Sequence, residues 1–260
     1  MQMRPSRVLR KLRAGQVVSS VKLNLADAHV AEIAALCGID CIWLDREHVP
    51  SDLKDVENQV RAAKAYDVDS VVRVPRGSYS DLIHPLEMDA TGIMVPHVMN
   101  LEDARRIVWQ TRFHPIGRRP WDGGNADGAY CMVSASDYLQ QANRERFVIV
   151  QVEDPEVLPD LEQIAQLDGI DMLFFGPADF SQGIGDPGNF SNPKIAETRQ
   201  KVAETARRYG KFAGTVGSLE SLPALVAQGY QFLNVAADVI ALGQAFDRVA
   251  KTFAALKNNA

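Results

Sequence analysis

The sequence predicts a (β/α)₈ barrel of the TIM type, one domain over residues 1–260 with an additional helix at the N-terminus and a long helix at the C-terminus. Three observations lead there. Eight short apolar runs recur, at 17–23, 40–45, 70–74, 92–95, 147–153, 171–175, 212–216 and 232–236, with connecting segments that read as helices between them. The runs at 147–153 and 171–175 are nearly continuous in apolar residues instead of alternating, which marks parallel strands covered on both faces. No Gly-x-Gly-x-x-Gly opens an early helix, which disfavours an open doubly wound sheet. Strict alternation of strand and helix makes a parallel sheet, and eight repeats close it.

Each element has a local reason. The stretch from about 5 to 14 reads as a basic amphipathic helix, expected to be exposed, and Gly15 ends it. The 17–23 strand is followed by a helix over 27–36 that stops at Gly38, a plausible left-handed stop. The 40–45 strand runs into the polar cluster Asp45-Arg-Glu47-His48, after which Ser51 or Asp52 caps a helix to about Tyr66. The 70–74 strand carries Arg73 among valines, and a helix over 81–88 leads to the 92–95 strand, which closes on Pro96-His97. Asn100 caps a helix over 101–112, with Glu102 and Asp103 in the first turn where the helix dipole favours acids. The longest irregular segment is 113–133, and a second, rich in Gly, Asn and Pro, spans 181–193. Loops of this length are usually functional. Helices over 136–144, 194–209, 218–228 and 238–256 complete the pattern.

Composition excludes several classes. The net charge of −5 leaves no basic footprint for nucleic acid. No apolar run reaches the length of a membrane span, and the basic N-terminus lacks the apolar core of a signal peptide. Cys37, Cys41 and Cys131 lack ligand-type spacing; Cys37 and Cys41 are expected to be reduced core residues of a cytoplasmic protein.

In a barrel, the carboxyl ends of the strands share one mouth. That places Asp45, Glu47, His48, Arg73, Glu153 and Asp179 together, with Lys22 and His97 as further candidates. Glu153 and Asp179 are hard oxygen donors suited to Mg²⁺ or Mn²⁺; they could equally be acidic starts of the following helices. His48 could act as a proton shuttle, or be a surface histidine linked to Glu47. Arg73 in an apolar strand needs a partner, either a substrate oxyanion or Asp45 or Glu87. Lys22 and Lys211 are the lysines placed near strand ends, so a Schiff-base route has little to draw on.

The motifs Asp45-x-Glu47-His48, Arg73-x-Pro75, Gln151-Val-Glu153 and Gly176-Pro-Ala-Asp179-Phe-Ser together resemble the HpcH/HpaI aldolase family over about residues 8–250. The resemblance implies a metal-dependent (class II) aldolase that cleaves or forms 4-hydroxy-2-oxo acids through a pyruvate enolate. It implies Glu153 and Asp179 as ligands of a divalent metal, Mg²⁺ or Mn²⁺, with Co²⁺ a further candidate. Arg73 would hold the enolate oxygen and His48 would be the acid/base, paired with Glu87. Backbone N–H groups around Gly176, Ala178 and Asp179 would receive the substrate carboxylate, Gln151 would line the floor, and Arg119 matches a substrate-loop arginine. The partners implied are an oxo acid, an aldehyde and further copies of the chain in a hexamer with exchanged C-terminal helices.

Three departures limit what is implied. Glu87-Met-Asp89-Ala90 stands where the family has Asp-x-Gly-Ala, Val21-Lys22-Leu23-Asn24 replaces a Gly-x-Trp-like stretch, and Arg119 is followed by Pro120-Trp121-Asp122. The metal and pyruvate half of a site is thereby implied more fully than the aldehyde half. Loop 117–131, with Arg118, Arg119, Trp121, Asp122, Asn125 and Asp127, suggests an acceptor bearing hydroxyls, or else a braced subunit contact. A related lyase or decarboxylase acting on another oxo acid or a CoA thioester is the alternative.

Overall fold

A computed structural model describes residues 1–257. Eight parallel strands pair in chain order and close, β8 hydrogen-bonding to β1. They are β1 (Val18–Leu23), β2 (Cys41–Asp45), β3 (Asp69–Arg73), β4 (Gly92–Val95), β5 (Phe147–Val152), β6 (Met172–Phe175), β7 (Phe212–Val216) and β8 (Phe232–Ala237). The helices are α1 (Arg7–Arg13), α2 (Ala28–Leu36), α3 (Leu53–Ala65), α4 (Tyr79–Glu87), α5 (Leu101–Thr111) and α6 (Ala135–Glu145). There follow α7 (Leu161–Ala165), α8 (Pro177–Gly183), α9 (Pro193–Arg208), α10 (Leu222–Gln228) and α11 (Asp238–Lys257). The helix α8 begins directly at Pro177, so the irregular segment after β6 is shorter than the sequence suggested.

Alternation along the strands sorts side chains into two cores. Ile42, Leu44, Val72, Ile93, Val148, Val150, Leu173 and Phe175 face outward and pack under the helices. Trp43, Val71, Met94, Phe147, Ile149, Met172, Phe174 and Phe232 fill the barrel interior. Gly92 and Gly214 make room there, since a Cβ on Gly92 would lie 2.1 Å from the Phe147 ring and one on Gly214 2.6 Å from the Phe174 ring.

The helix α1 corrects one expectation. It is not exposed: Val8, Leu9 and Leu12 are buried against the interior residues and plug the end of the barrel where the strands begin. Two buried aspartates at strand starts meet its buried side: Asp69 holds its start together with Arg4, and Asp40 takes Arg7 and Lys11. Asp69 accepts from Ser6 Oγ (2.7 Å), the Val8 backbone N–H (2.8 Å) and Arg4 (2.6 Å). Asp40 pairs with Arg7 (3.0 Å) and Lys11 (2.6 Å). Two smaller corrections follow. Cys41 is buried, but Cys37 is exposed, as is Cys131. Lys211 precedes β7 and so lies at the plugged end, away from the mouth. Among the described residues no helix is long and apolar enough to cross a membrane.

Candidate active site

Asp45 and Arg73 end adjacent strands in register. The Arg73 Nε donates to Asp45 Oδ1 (3.0 Å), its Nη2 to Asp45 Oδ2 (2.5 Å), and its Nη1 lies 3.0 Å from Glu47 Oε2. The guanidinium also lies over the Trp43 ring, 5.1 Å from the centroid. Lys22 reaches Asp45 Oδ2 from β1 (2.8 Å). Burial would raise the Asp45 pKa, but the hydrogen bonds and charges of Arg73 and Lys22 outweigh it and hold the carboxyl at about 2. The same partnership raises Arg73 further against the cost of its burial. Of the two partners the sequence offered for Arg73, the structure takes Asp45.

Across the mouth, Glu153 follows the last residue of β5 and is 1% exposed. Its Oε2 accepts from Gln151 Nε2 (2.6 Å) and its Oε1 from the His97 backbone N–H (2.9 Å). Burial pushes the Glu153 carboxyl up to about 7; the His97 N–H and ring oppose this, while the charges of Asp179 and Glu47 add to it. Asp179, half-buried in the first turn of α8, is therefore close enough to repel Glu153 electrostatically. Gly176 keeps the space beside Glu153 open, since a Cβ there would meet Glu153 Oε2 at 2.6 Å. Buried carboxylates that repel one another are a site a cation relieves. The oxygen-rich donor set fits a hard divalent ion.

The structure adds Asp154 to the sequence-derived set and brings His97, a further candidate there, into the centre of the mouth. His97, directly after β4 and left-handed with φ +50°, turns its ring into the mouth. Its Nδ1 is 3.0 Å from Asp154 Oδ2 and 3.9 Å from Glu153 Oε1, and its Nε2 is 3.3 Å from Glu47 Oε1. One donor atom each from His97, Glu153 and Asp154 lie within 4.8 Å of one another. Burial lowers the His97 pKa, but the hydrogen bond to Asp154 and the charges of Glu153, Asp154 and Glu47 raise it on balance. The sequence did carry a signal for both residues: His97 follows a strand end, and Asp154 follows Glu153.

The remaining candidates stand at the edge of this cluster or apart from it. His48 is exposed, its ring 3.5 Å from Glu47 Oε2. Glu87 closes α4, and its charged neighbours are Arg119, Asp127, His84 and Asp122, with burial raising its pKa; no hydrogen bond joins it to His48 within the chain. Arg119 is buried and donates to Asp127 Oδ2 (2.8 Å), which also accepts from the Tyr138 hydroxyl (2.6 Å). Asp127 is thus consumed in holding the loop, while Trp121 and Tyr130 stay exposed. Ala178 is exposed at the mouth, beside buried Gly176.

A closed parallel barrel whose strands deliver an arginine and several carboxylates to one mouth defines a barrel enzyme. The chain belongs to the HpcH/HpaI aldolase/citrate lyase family, whose profile matches residues 20–245, and it is a carbon–carbon lyase of the aldolase type. The family is metal-dependent. The chain is 32% identical to the 2-keto-3-deoxy-L-rhamnonate aldolase of Escherichia coli over 253 residues, 95% of this chain and 93% of that protein. The enzyme of the same name from Klebsiella pneumoniae is 32% identical over 240 residues, 92% of this chain and 90% of that protein. The solved HpcH/HpaI aldolase from Desulfitobacterium hafniense superposes with a TM-score of 0.87 at 28% identity, covering 95% of this chain and 96% of that one. A solved citrate synthase, SbnG, superposes with a TM-score of 0.85 at 28% identity, covering 96% of this chain and 97% of that one.

Proposed function

We propose that this chain cleaves or forms 4-hydroxy-2-oxo acids through a pyruvate enolate, using a divalent cation held by Glu153 and Asp179. The observation that carries the reading is Glu153, a buried carboxylate with a pKa of about 7 at a strand end that also faces the charge of Asp179. The cation, Mg²⁺, Mn²⁺ or Co²⁺, would supply Lewis-acid polarisation of the keto oxygen when bound. The chain's own residues do the rest. Breaking the C3–C4 bond of a 2-oxo acid develops negative charge on that oxygen, and Arg73 is pre-set to meet it. Its geometry is fixed by Asp45 and Glu47, so little reorganisation is needed as charge develops. The Gly176 N–H is spent on the Val152 carbonyl (3.1 Å), so the backbone N–H groups of Ala178 and Asp179, in the first turn of α8, receive the substrate carboxylate, and Gln151 forms the floor. His48, free on one side, moves the proton to and from the aldehyde oxygen.

Glu87 orients His48 in this reading. Within one chain it lies against Arg119 instead, so the pairing requires a neighbouring copy. The helix α11 supplies a reason for one. Ile240, Phe246, Val249, Phe253 and Leu256 are exposed along it, as are Ile33 and Leu36 on α2. An apolar stripe of this extent is covered in a stable protein. We assign it to exchange of C-terminal helices in a hexamer.

For the second substrate we propose a hydroxylated aldehyde. The curated relatives are named for cleavage of a deoxy sugar acid, and Trp121, Asn125 and Tyr130 offer an aromatic face with amide and phenol groups. A CoA thioester fits less well. Arg118 lies over Trp109, 5.1 Å from the ring centroid, and Arg119 is buried on Asp127, so neither is set out for nucleotide phosphates. The test is pyruvate release from racemic 4-hydroxy-2-oxo acids, with and without EDTA, on matched hydroxylated and deoxy substrates. Release that EDTA stops and that favours the hydroxylated series is expected. No pyruvate from any member refutes the reaction, and a deoxy preference refutes the acceptor.

A further inference from the structure

The reading above gives the cation oxygen ligands alone, yet the mouth also presents a nitrogen. We propose that His97 Nδ1, with carboxylate oxygens of Glu153 and Asp154, ligates the divalent cation, so that the site favours Co²⁺ or Zn²⁺ over Mg²⁺.

The spacing is that of donors able to share one cation, with small side-chain adjustment. Ligands about 2.1 Å from an ion and at right angles stand about 3.0 Å apart, and opposite ligands about 4.2 Å. His97 Nδ1 is 3.0 Å from Asp154 Oδ2 and 3.9 Å from Glu153 Oε1. The other ring nitrogen carries the second half of the argument. A ligating histidine donates its remaining N–H to a carboxylate, which sets the tautomer and turns the free lone pair toward the metal. Glu47 Oε1 stands 3.3 Å from His97 Nε2, near enough to take that N–H with a small turn of the ring, and Glu47 is anchored by Arg73 at 3.0 Å.

Two further features point to a ligand. Gln151 is 2% exposed; its Nε2 is spent on Glu153, and its Oε1, beside the same carboxylate, has no hydrogen-bond partner. Asp154 occupies the cap position of the short 3₁₀ turn Pro155–Val157, yet its side chain does not cap that turn and is turned to His97. The backbone of His97 is held in the left-handed region, uncommon for a residue with a side chain, and strained positions of this kind collect at functional sites. Imidazole nitrogen suits late first-row ions, whereas Mg²⁺ prefers oxygen and water.

The proposal rests on the cation reading and shares Glu153 with it, so its test separates them. Pulsed electron paramagnetic resonance of the wild-type Mn²⁺ complex should show coupling to a directly bound nitrogen, lost in His97→Asn, a residue that tolerates the left-handed backbone. Calorimetric titration should show Co²⁺ and Zn²⁺ affinity falling by about tenfold or more in His97→Asn and in Asp154→Asn, with Mg²⁺ affinity nearly unchanged in His97→Asn. A wild-type complex without nitrogen coupling, or wild-type Co²⁺ affinity in His97→Asn, overturns the nitrogen ligand. Wild-type affinity in Asp179→Asn with nitrogen coupling intact removes Asp179 from the reading above and leaves His97 in place. Wild-type affinity in Glu153→Gln overturns both.

Discussion

Asp45 and Arg73 are register partners at the ends of β2 and β3, and two hydrogen bonds of 3.0 and 2.5 Å lock the guanidinium onto the carboxylate. The pair is buried, with Arg73 5% and Asp45 2% exposed. A buried arginine held this way is a fixed positive charge in the mouth, available to a developing oxyanion without first finding its place.

That pairing has a pH signature. Asp45 is held at about 2 against an ordinary value of 3.8, so its contribution to stability is full above the unfolded value and fades as pH falls toward 2. Unfolding free energies of the wild type and Asp45→Asn should differ most above about pH 5, and the difference should shrink as pH falls, reaching its minimum by about pH 1. A difference that stays constant across this range would mean that the ion pair does not stabilise the fold.

Gly176→Ala should disable cation binding without unfolding the barrel. The added Cβ would stand 2.6 Å from Glu153 Oε2 and 2.9 Å from Glu153 Cβ, so the carboxylate must move. Mn²⁺ affinity should fall by about tenfold or more while the melting temperature shifts by a few degrees at most. Wild-type affinity would show that Glu153 need not keep this position.

His48 and Arg73 should separate kinetically. His48→Ala is expected to lose about 10²–10⁴-fold in aldol turnover while pyruvate still binds. Arg73→Ala should slow exchange of the pyruvate methyl protons with solvent deuterium by about 10²-fold or more. Wild-type exchange in the arginine variant would remove it from enolate stabilisation.

The plug made by α1 should behave as core. Leu9→Ala and Leu12→Ala, each removing a side chain at most 2% exposed, should cost about 2–5 kcal/mol in denaturant unfolding. A cost below about 0.5 kcal/mol, typical of surface sites, would return α1 to the exposed role its basic sequence suggested.

Assembly should be read by light scattering. A mass near six times 28.6 kDa is expected, and Phe246→Glu with Phe253→Glu should lower it. A wild-type monomer at micromolar concentration would contradict the exchange of α11.

Much of this protein is legible in its sequence, because the signals are local. Runs such as Val71–Arg73 and Leu173–Phe175 declare buried parallel strands by composition alone, and eight of them alternating with helices leave one economical closure. The rule that strand ends share a mouth then placed Asp45, Arg73 and Glu153 before any distance was known. Tertiary structure decided whatever depended on partners distant in sequence. Arg4, Arg7 and Lys11 look solvent-bound until Asp69 and Asp40 meet them across the barrel floor. Arg73 had two sequence partners on offer, and only the register of β2 with β3 selects Asp45. His97 gains its meaning from Glu47, Glu153 and Asp154, which arrive from two other strand ends. Periodicity reports what a residue's neighbours along the chain require. Which charges meet is settled by closing the barrel, when desolvation makes unpaired buried groups costly, and the mouth is where that cost is carried.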